Sequence, residues 1–257
     1  MIVAREVDLH VGGRVLLQGM TFDLRPGELV AILGPNGVGK TTLLRAMAGT
    51  RDVDAGTLRI GDDDVARVTP GDRARRIAFM ASDDLFGEHL TVRDVVAMGR
   101  YPYHRWWQWH EDRDDDIAIE RALDAVRMRE FERRAFATLS SGERQRIWLA
   151  LGLAQEAPLL LLDEPTSHLD VRVAHAILAL LRDQVTAGKT IVSVLHDLNE
   201  AAEFADRIML LGCGRVLAFD TPHDVFASGL LEDAYGVPME TMRSPSGALR
   251  VFPRLRG

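Results

Sequence analysis

The chain has 257 residues, of which 47% are hydrophobic and 27% are charged, a composition that suits one large α/β domain and excludes wholesale disorder. The formal net charge of −7 argues against broad non-specific binding to nucleic acid. The single cysteine, Cys213, excludes an intrachain disulfide, and no segment approaches the ~18 to 20 apolar residues that a membrane-spanning helix needs.

The N-terminal residues lack the apolar core of a secretory signal, so we expect any role at a membrane to depend on a partner. Hydrophobic patterning predicts three strands in this part of the chain, at residues 2–11, 20–25 and 28–33. A helix is predicted over residues 40–48, ending at Gly49. Shorter strands are predicted near residues 57–60 and 76–80.

The middle of the chain, residues 91–156, is predicted to be mostly helical. It contains an aromatic stretch at residues 101–109 and an acidic run at residues 111–116. We interpret the acidic run as the solvated start of a helix.

After Pro158 the alternation of strand and helix returns, with strands at 159–162 and 190–195 and a helix over 173–185. Such alternation predicts a mostly parallel sheet covered by helices on both faces. We expect an α/β fold in a single domain, in which a core contains an N-terminal antiparallel β subdomain and carries an inserted helical subdomain. The core is assigned to residues 1–81 and 157–257, and the helical subdomain to residues 82–156.

A glycine-rich segment follows the apolar strand LVAIL, opens the predicted helix, and fits the P-loop pattern G-x-x-x-x-G-K-[ST] at every fixed position. In a P-loop the backbone N–H groups surround phosphate oxygens, the lysine (Lys40) reaches the β- and γ-phosphates, and the hydroxyl of Thr41 is a ligand of Mg²⁺. A glycine-rich turn beside a surface lysine is the alternative, which the strand–helix context disfavours. The residues assigned to nucleotide binding are Gly34, Pro35, Asn36, Gly37, Val38, Gly39, Lys40, Thr41 and Thr42.

The segment LLLLDE places two carboxylates directly after a buried strand, at the sheet edge where ligands of open α/β sheets bind. Asp163 is suited to hold Mg²⁺, and Glu164 is suited to orient and deprotonate an attacking water. Alone, this junction would more often be a strand end with solvated acids. Beside a P-loop it predicts a site for ATP and Mg²⁺, with the glycine loop and the acidic pair at neighbouring strand tips.

Three further motifs follow in order: Leu139-Ser140-Ser141-Gly142-Glu143, then Ser167-His168-Leu169-Asp170, then His196 after the strand TIVSVL. In this order and spacing they resemble the signature, D-loop and switch histidine of the ABC-transporter ATPase family, and the resemblance covers the whole chain. It implies the P-loop NTPase fold with a RecA-like core, and ATP hydrolysis. Each motif alone is weak, because Ser-Ser-Gly is more often a turn or helix cap.

The resemblance also implies a head-to-tail homodimer with two ATPs sandwiched between the subunits. Ser140, Ser141, Gly142 and Glu143 would face the ATP held by the other copy, where a helix N-terminus complements an anion. His196 would contact the γ-phosphate as a catalytic residue beside Glu164, and Asp170 would meet the opposing subunit.

Four positions depart from the family pattern. Ser82 stands where the family has the Q-loop glutamine, and Ser82 or Asp83 would act there through a water. Ser141 and Glu143 replace a glycine and a glutamine of the signature. His10 or Val11 occupies the place of the aromatic residue that stacks on adenine.

Residues 90–102, 144–156 and 221–237 look like the ATPases of iron–siderophore, haem and cobalamin importers. That group implies a peripheral protein on the cytoplasmic face of the membrane, a permease dimer docked near residues 82–109, and an extracytoplasmic substrate-binding protein that acts indirectly. The aromatic residues of the stretch fit this interface or local packing of the helical subdomain. They are Tyr101, Tyr103, Trp106, Trp107 and Trp109.

Nucleic acid is not an expected partner, because the acidic run would repel phosphates. Three alternatives stay open at this point. The chain could serve another transporter class, for example one for zinc or manganese, or be a soluble ABC ATPase that acts on nucleic acid or ribosomes. It could also be a non-hydrolysing regulatory subunit, an idea motivated by Ser82 and the altered signature.

Overall fold

The computed structural model describes residues 2–81, 89–104, 113–244 and 247–254. Within these ranges the strands are β1 Ile2–Val11, β2 Arg14–Asp23, β3 Leu29–Leu33, β4 Ala55–Ile60, β5 Asp63–Asp64, β6 Ile77–Met80, β7 Leu159–Asp163, β8 Thr190–Val194, β9 Arg207–Gly212, β10 Arg215–Asp220, β11 Met239–Arg243 and β12 Leu249–Pro253. The α-helices are α1 Lys40–Met47, α2 Pro70–Ala74, α3 Val92–Ala97, α4 Arg113–Ala125, α5 Ser141–Ala154, α6 Val171–Thr186, α7 Leu198–Phe204, α8 Pro222–Ala227 and α9 Leu230–Tyr235. Segments of 3-10 helix lie at Met98–Tyr103, Arg129–Phe131 and Phe136–Thr138.

A six-stranded sheet forms the centre of the fold, in the order β10-β9-β3-β8-β7-β6. Its neighbouring strands are parallel, except that β9 and β10 are antiparallel. Every residue of β3, β7 and β8 is buried, as expected for parallel strands covered on both faces. The predicted α/β fold with a mostly parallel sheet is confirmed.

The two faces of this sheet pack into two separate hydrophobic clusters. Along β3, Leu29, Ala31 and Leu33 face the cluster that includes α3, α4, α5 and α6. Val30 and Ile32 face the cluster shared with α1 and the N-terminal strands. Because successive side chains of a strand point to opposite faces, one short strand anchors both layers.

The N-terminal strands form an antiparallel sheet in the order β2-β1-β4-β5. Its first hairpin turns at Gly12 and Gly13, which have φ values of 59° and 77°, as a two-residue hairpin turn requires. Strand β2 begins at Arg14, so the prediction that it begins at residue 20 was wrong. Shifts in the β1–β2 register and the left-handed Gly19 (φ 60°) break the alternation that pattern reading depends on.

The described helices α3, α4 and α5 lie between β6 and β7 in sequence. The division of the chain at residues 82 and 157 stays a prediction. None of the helices in the described ranges is long and apolar enough to cross a membrane.

The described part of the acidic run, residues 113–116, is only partly solvated, and the prediction of a solvated helix start was wrong at Asp115. This residue is 2% exposed, accepts a hydrogen bond from Arg100 Nε at 2.9 Å, and lies 2.6 Å from His104 Nε2. Arg100 is itself buried and donates to the carbonyl oxygen of Ala154 at 2.7 Å. A charge in the first turn of α4 therefore joins the 3-10 segment Met98–Tyr103 to the end of α5.

Candidate functional site

The glycine-rich loop connects the buried strand β3 to helix α1, as its position in the sequence predicts. Gly34 has φ 148°, and a Cβ built there would lie 2.5 Å from the carbonyl oxygen of Leu211. Gly39, at the N-cap of α1, has φ 111° and a built Cβ 3.0 Å from Leu16. Glycine is required at both positions by the backbone conformation and the close approach of neighbours.

Lys40 begins α1 and is 6% exposed. Its Nζ donates to the carbonyl oxygens of Gly34 at 2.7 Å and Pro35 at 3.1 Å, which folds the side chain over the loop. Burial lowers the pKa of the Lys40 ammonium, while the charges of Glu164 and Asp163 oppose that shift. With the first N–H groups of α1, the ammonium gives this loop the donors and the positive charge that an anion-binding site requires.

Thr41 and Asp163 meet across the sheet edge, where Thr41 Oγ1 donates to Asp163 Oδ1 at 3.1 Å. Burial raises the pKa of the Asp163 carboxyl; the hydrogen bond from Thr41 opposes that rise and the charge of Glu164 adds to it. A hydroxyl and a carboxylate this close are hard oxygen donors of the kind that Mg²⁺ prefers. These two side chains therefore fit the predicted magnesium ligands.

Glu164 follows Asp163 with φ 54°, a strained conformation for a non-glycine residue. Its Oε1 lies 2.6 Å from His196 Nε2, and its Oε2 accepts from Ser167 Oγ at 3.0 Å. Burial opposes ionisation of Glu164, but the hydrogen bonds from His196 and Ser167 outweigh it and lower its pKa. The carboxylate is thus held ionised and oriented, ready to accept a hydrogen bond from a water.

The strand order corrects one expectation about this site. The glycine loop leaves β3 and the acidic pair leaves β7, but β8 lies between these strands, so their tips are not neighbours. His196 follows β8 closely. The intervening strand therefore places the histidine between the loop and Glu164.

One cleft of about 770 Å³ unites most of the predicted nucleotide-binding and catalytic residues. Its lining also includes Leu16, which pattern reading missed, and Ser167 and His168 of the D-loop motif, which the sequence did not assign to this cleft. Val11, one of two candidates for the adenine side of the site, lines this cleft. The predicted residues that line it are Asn36, Gly37, Gly39, Lys40, Thr41, Thr42, Glu164 and His196.

The signature residues lie elsewhere. Ser140, Ser141, Gly142 and Glu143 line a second cleft of about 370 Å³ together with Asp170. Ser141 also lines a third cleft, of about 330 Å³, with Asp163 and Glu164. In one copy of the chain, the described lining of the Lys40 cleft contains none of the four.

Of the two altered signature positions, Glu143 has a local structural role. Ser140 is the N-cap of α5, and Glu143 completes a capping box, accepting from the Ser140 backbone N–H at 2.7 Å. Those hydrogen bonds lower the pKa of the Glu143 carboxyl. Asp170 likewise caps α6, accepting from the Val173 N–H at 3.0 Å.

Several predicted residues lie outside the described ranges. They are Ser82, Asp83, Trp106, Trp107 and Trp109. Of the other aromatic residues, Tyr101 is 67% exposed. Tyr103 packs locally, since its ring lies 4.1 Å from the Arg100 guanidinium and its hydroxyl donates to the Gln155 carbonyl oxygen at 2.9 Å.

Comparison with known proteins decides the family, because residues 17–167 match the family model described as ABC transporter. The chain belongs to the ABC transporter family. Members that power import are ATP-binding subunits that hydrolyse ATP and work as dimers with a membrane permease.

Relatives and solved structures narrow the likeness within the ABC transporter family. The hemin import ATP-binding protein of Streptomyces coelicolor is 42% identical over 246 residues, which cover 95% of this chain and 87% of that protein. A probable siderophore transport system ATP-binding protein of Bacillus subtilis is 34% identical over 259 residues, covering 100% and 94%. A solved metal-chelate type ABC transporter in an inward-facing conformation is 26% identical, with a TM-score of 0.86 over 99% of this chain and 98% of that one.

Proposed function

We propose that this chain is the ATP-hydrolysing subunit that powers import of an iron chelate, haem or siderophore, or a related metal complex such as cobalamin, through a separate membrane permease. The observation that carries the proposal is the convergence of Lys40 and Thr41 with Glu164 and His196 in one cleft, with Asp163 bonded to Thr41.

ATP would bind with its phosphates on the glycine loop. The Lys40 ammonium would exchange its two carbonyl partners for β- and γ-phosphate oxygens, and the first N–H groups of α1 would complete the cradle. Val11 and Leu16, which also line the cleft, would offer an apolar surface to the adenine.

Hydrolysis would begin from a water held by the Glu164 carboxylate. The water oxygen bonds to the γ-phosphorus as the bond to the β–γ bridging oxygen breaks, ADP leaves, and Glu164 accepts the proton of the water. Because its pKa is lowered, this carboxylate is ionised at neutral pH and orients the water more than it drives proton transfer. His196, bonded to Glu164, would orient it and contact the γ-phosphate.

Mg²⁺ would be held by Thr41 and Asp163, and when bound it neutralises charge on the phosphate oxygens. The remaining work falls to side chains of the chain itself. Lys40 fixes the phosphates, and Glu164 and His196 fix the water.

The proposed assembly is a head-to-tail homodimer. In support, Ser140 to Glu143 sit at the N-terminus of α5 and line a cleft with Asp170, and Lys40 lines a different cleft. A second copy related by a two-fold axis would bring each signature onto the ATP of the other copy.

The proposed place of the dimer is the cytoplasmic face of the membrane, under a permease dimer docked near residues 82–109. An extracytoplasmic binding protein would deliver the chelate to the permease. Tyr101, within the part of this segment that the structure describes, is exposed and available for such a contact.

The test is steady-state ATP hydrolysis by the complex of this chain with its permease, beside Glu164→Gln in the same complex. We expect the variant to lose about 100-fold in rate while still binding ATP, because it keeps the shape but loses the charge that holds the water. Equal rates for the two proteins would overturn the proposal.

The chelate class is tested in proteoliposomes that contain the complex. ATP-dependent uptake of haem, a ferric siderophore and cobalamin would be measured with the matching binding protein present. Uptake of none of the three, with hydrolysis intact, would point to another transporter class.

A further inference from the structure

Two contacts, not one, join the loop after β7 to the start of α7. The first is the pair of Glu164 and His196, 2.6 Å apart. The second is a hydrogen bond from Thr166 Oγ1 to Glu200 Oε2 at 3.1 Å. Thr166 lies two residues after Glu164, and Glu200 lies four residues after His196, so the contacts form two successive rungs between the same pair of segments.

Glu200 occupies the N3 position of α7. A glutamate at N3 often accepts a hydrogen bond from the backbone N–H of the N-cap residue. Here the Asp197 side chain caps the helix, accepting from the N–H groups of Asn199 and Glu200, and Glu200 Oε2 bonds to Thr166. The carboxylate thus serves a contact between two segments distant in sequence.

The geometry around the first rung explains why a second is needed. Glu164 has a strained backbone, and His196 lies before the helix, outside regular secondary structure. Neither residue is therefore held at its angle by helix or sheet hydrogen bonds.

Glu200 is half-buried, and burial raises the pKa of its carboxyl, with the Thr166 bond opposing that rise and the Asp197 charge adding to it. An acid in such a place weakens the fold unless its partner compensates. The hydrogen bond from the Thr166 hydroxyl offsets part of that cost and ties Glu200 to the loop.

We propose that Glu200 is a positioning residue for ATP hydrolysis: through Thr166 it fixes the start of α7 against the loop after β7 and so sets the distance between His196 and Glu164. The inference rests on the proposed function, because it assigns Glu200 to the hydrolytic reaction of that site.

The test is steady-state ATP hydrolysis by the permease complex with Glu200→Ala and, separately, Thr166→Val. Each is expected to lower kcat about tenfold with KM changed less than about twofold, because the nucleotide-binding loop is untouched. Glu200→Gln keeps an acceptor oxygen and Thr166→Ser keeps the hydroxyl, so each should restore most of the lost rate.

Glu203→Gln is the matched control. Glu203 lies one turn later on α7 and pairs with Arg250 and His175, neither of which belongs to the loop after β7. The kcat of the Glu203→Gln complex is expected to stay within about twofold of the wild-type value.

A double-mutant cycle with His196→Ala separates positioning from a merely structural role. If Glu200 acts through His196, then Glu200→Ala adds no further loss in the His196→Ala background. Losses that multiply, or wild-type kcat in both Glu200→Ala and Thr166→Val, would overturn the inference. Should Glu200→Ala fail to fold, Thr166→Val in the same cycle decides. Hydrolysis that is insensitive to Glu164→Gln would instead defeat the proposed function itself.

Discussion

At the scale of single residues, two adjacent carboxylates lie in opposite environments. Asp163 ends a buried strand, and burial raises its pKa. Burial also disfavours the ionised form of Glu164, but hydrogen bonds from His196 and Ser167 outweigh burial and lower its pKa. One acid is therefore costly to ionise in the absence of a cation, while its neighbour is stabilised as an anion.

We predict opposite changes in stability for the two neutral amide variants in the absence of nucleotide. Asp163→Asn should raise the free energy of unfolding at pH 7 by about 1 kcal/mol, because it removes a poorly solvated charge. A raised pKa means that the folded state binds more protons, so the gain should shrink as pH falls through the folded pKa of Asp163.

Glu164→Gln should lower the stability at pH 7. Its depressed pKa contributes stability above the unfolded value, and this contribution is lost as pH falls through the folded pKa. Urea unfolding at pH 7 and pH 4 measures both variants, and a shift of the same sign at pH 7 would contradict the prediction.

The sequence predicts residues whose chemistry demands a fixed type at a fixed spacing. Lys40, Thr41, Asp163 and Glu164 belong to this group, because the phosphate loop and the strand-end acids are local patterns. Leu16 was not predicted as a lining residue, because the register shifts between β1 and β2 interrupt the alternation of buried and exposed side chains along its strand.

Other residues could not be predicted because tertiary contacts between distant segments define their role. Glu200 accepts its hydrogen bond from Thr166, 34 residues earlier in the sequence, a partner that only the folded chain supplies. Asp115 sits in an acidic run, and nothing in that run reveals that Arg100 is buried beside it.

At the scale of elements, the helical block is held by a buried ion pair as well as by apolar packing. Arg100 and Asp115 are nearly inaccessible, and Arg100 also reaches Glu156 at 2.8 Å. Removing one partner of such a pair costs more than the pair contributes, because the other charge stays buried.

Asp115→Ala is therefore predicted to lower the free energy of unfolding by about 3 kcal/mol. The double variant Arg100→Met with Asp115→Leu should recover most of that loss, since both buried charges are removed and the Glu156 carboxylate that loses Arg100 is exposed to solvent. Urea denaturation provides the measurement. The control is Glu120→Ala, which breaks an exposed pair with Arg129 and should cost less than about 1 kcal/mol.

At the scale of the whole molecule, the P-loop and the signature open onto separate clefts. In the proposed head-to-tail dimer these clefts would be two half-sites, and the pairing of two copies would complete both.

We predict that Glu164→Gln, incubated with ATP and Mg²⁺, changes from monomer to dimer in light scattering after gel filtration. Slow hydrolysis keeps the nucleotide that bridges the two copies. Adding Ser141→Arg, which places a bulky cation in the first turn of α5, should abolish the dimer and leave ATP binding intact. A dimer that forms equally without nucleotide would contradict this assignment.

The strand order β3-β8-β7 fixes the spacing of the segments that carry the proposed catalytic side chains. Strands in a sheet lie about 4.8 Å apart. The segments that bear Lys40, His196 and Glu164 follow three adjacent strands, so main-chain hydrogen bonds between the strands set their separation. Replacing a side chain alters the chemistry at the end of one strand and leaves the spacing between the strands unchanged. Evolution or design can thus change the functional residues at this sheet edge one strand at a time while the backbone geometry is kept.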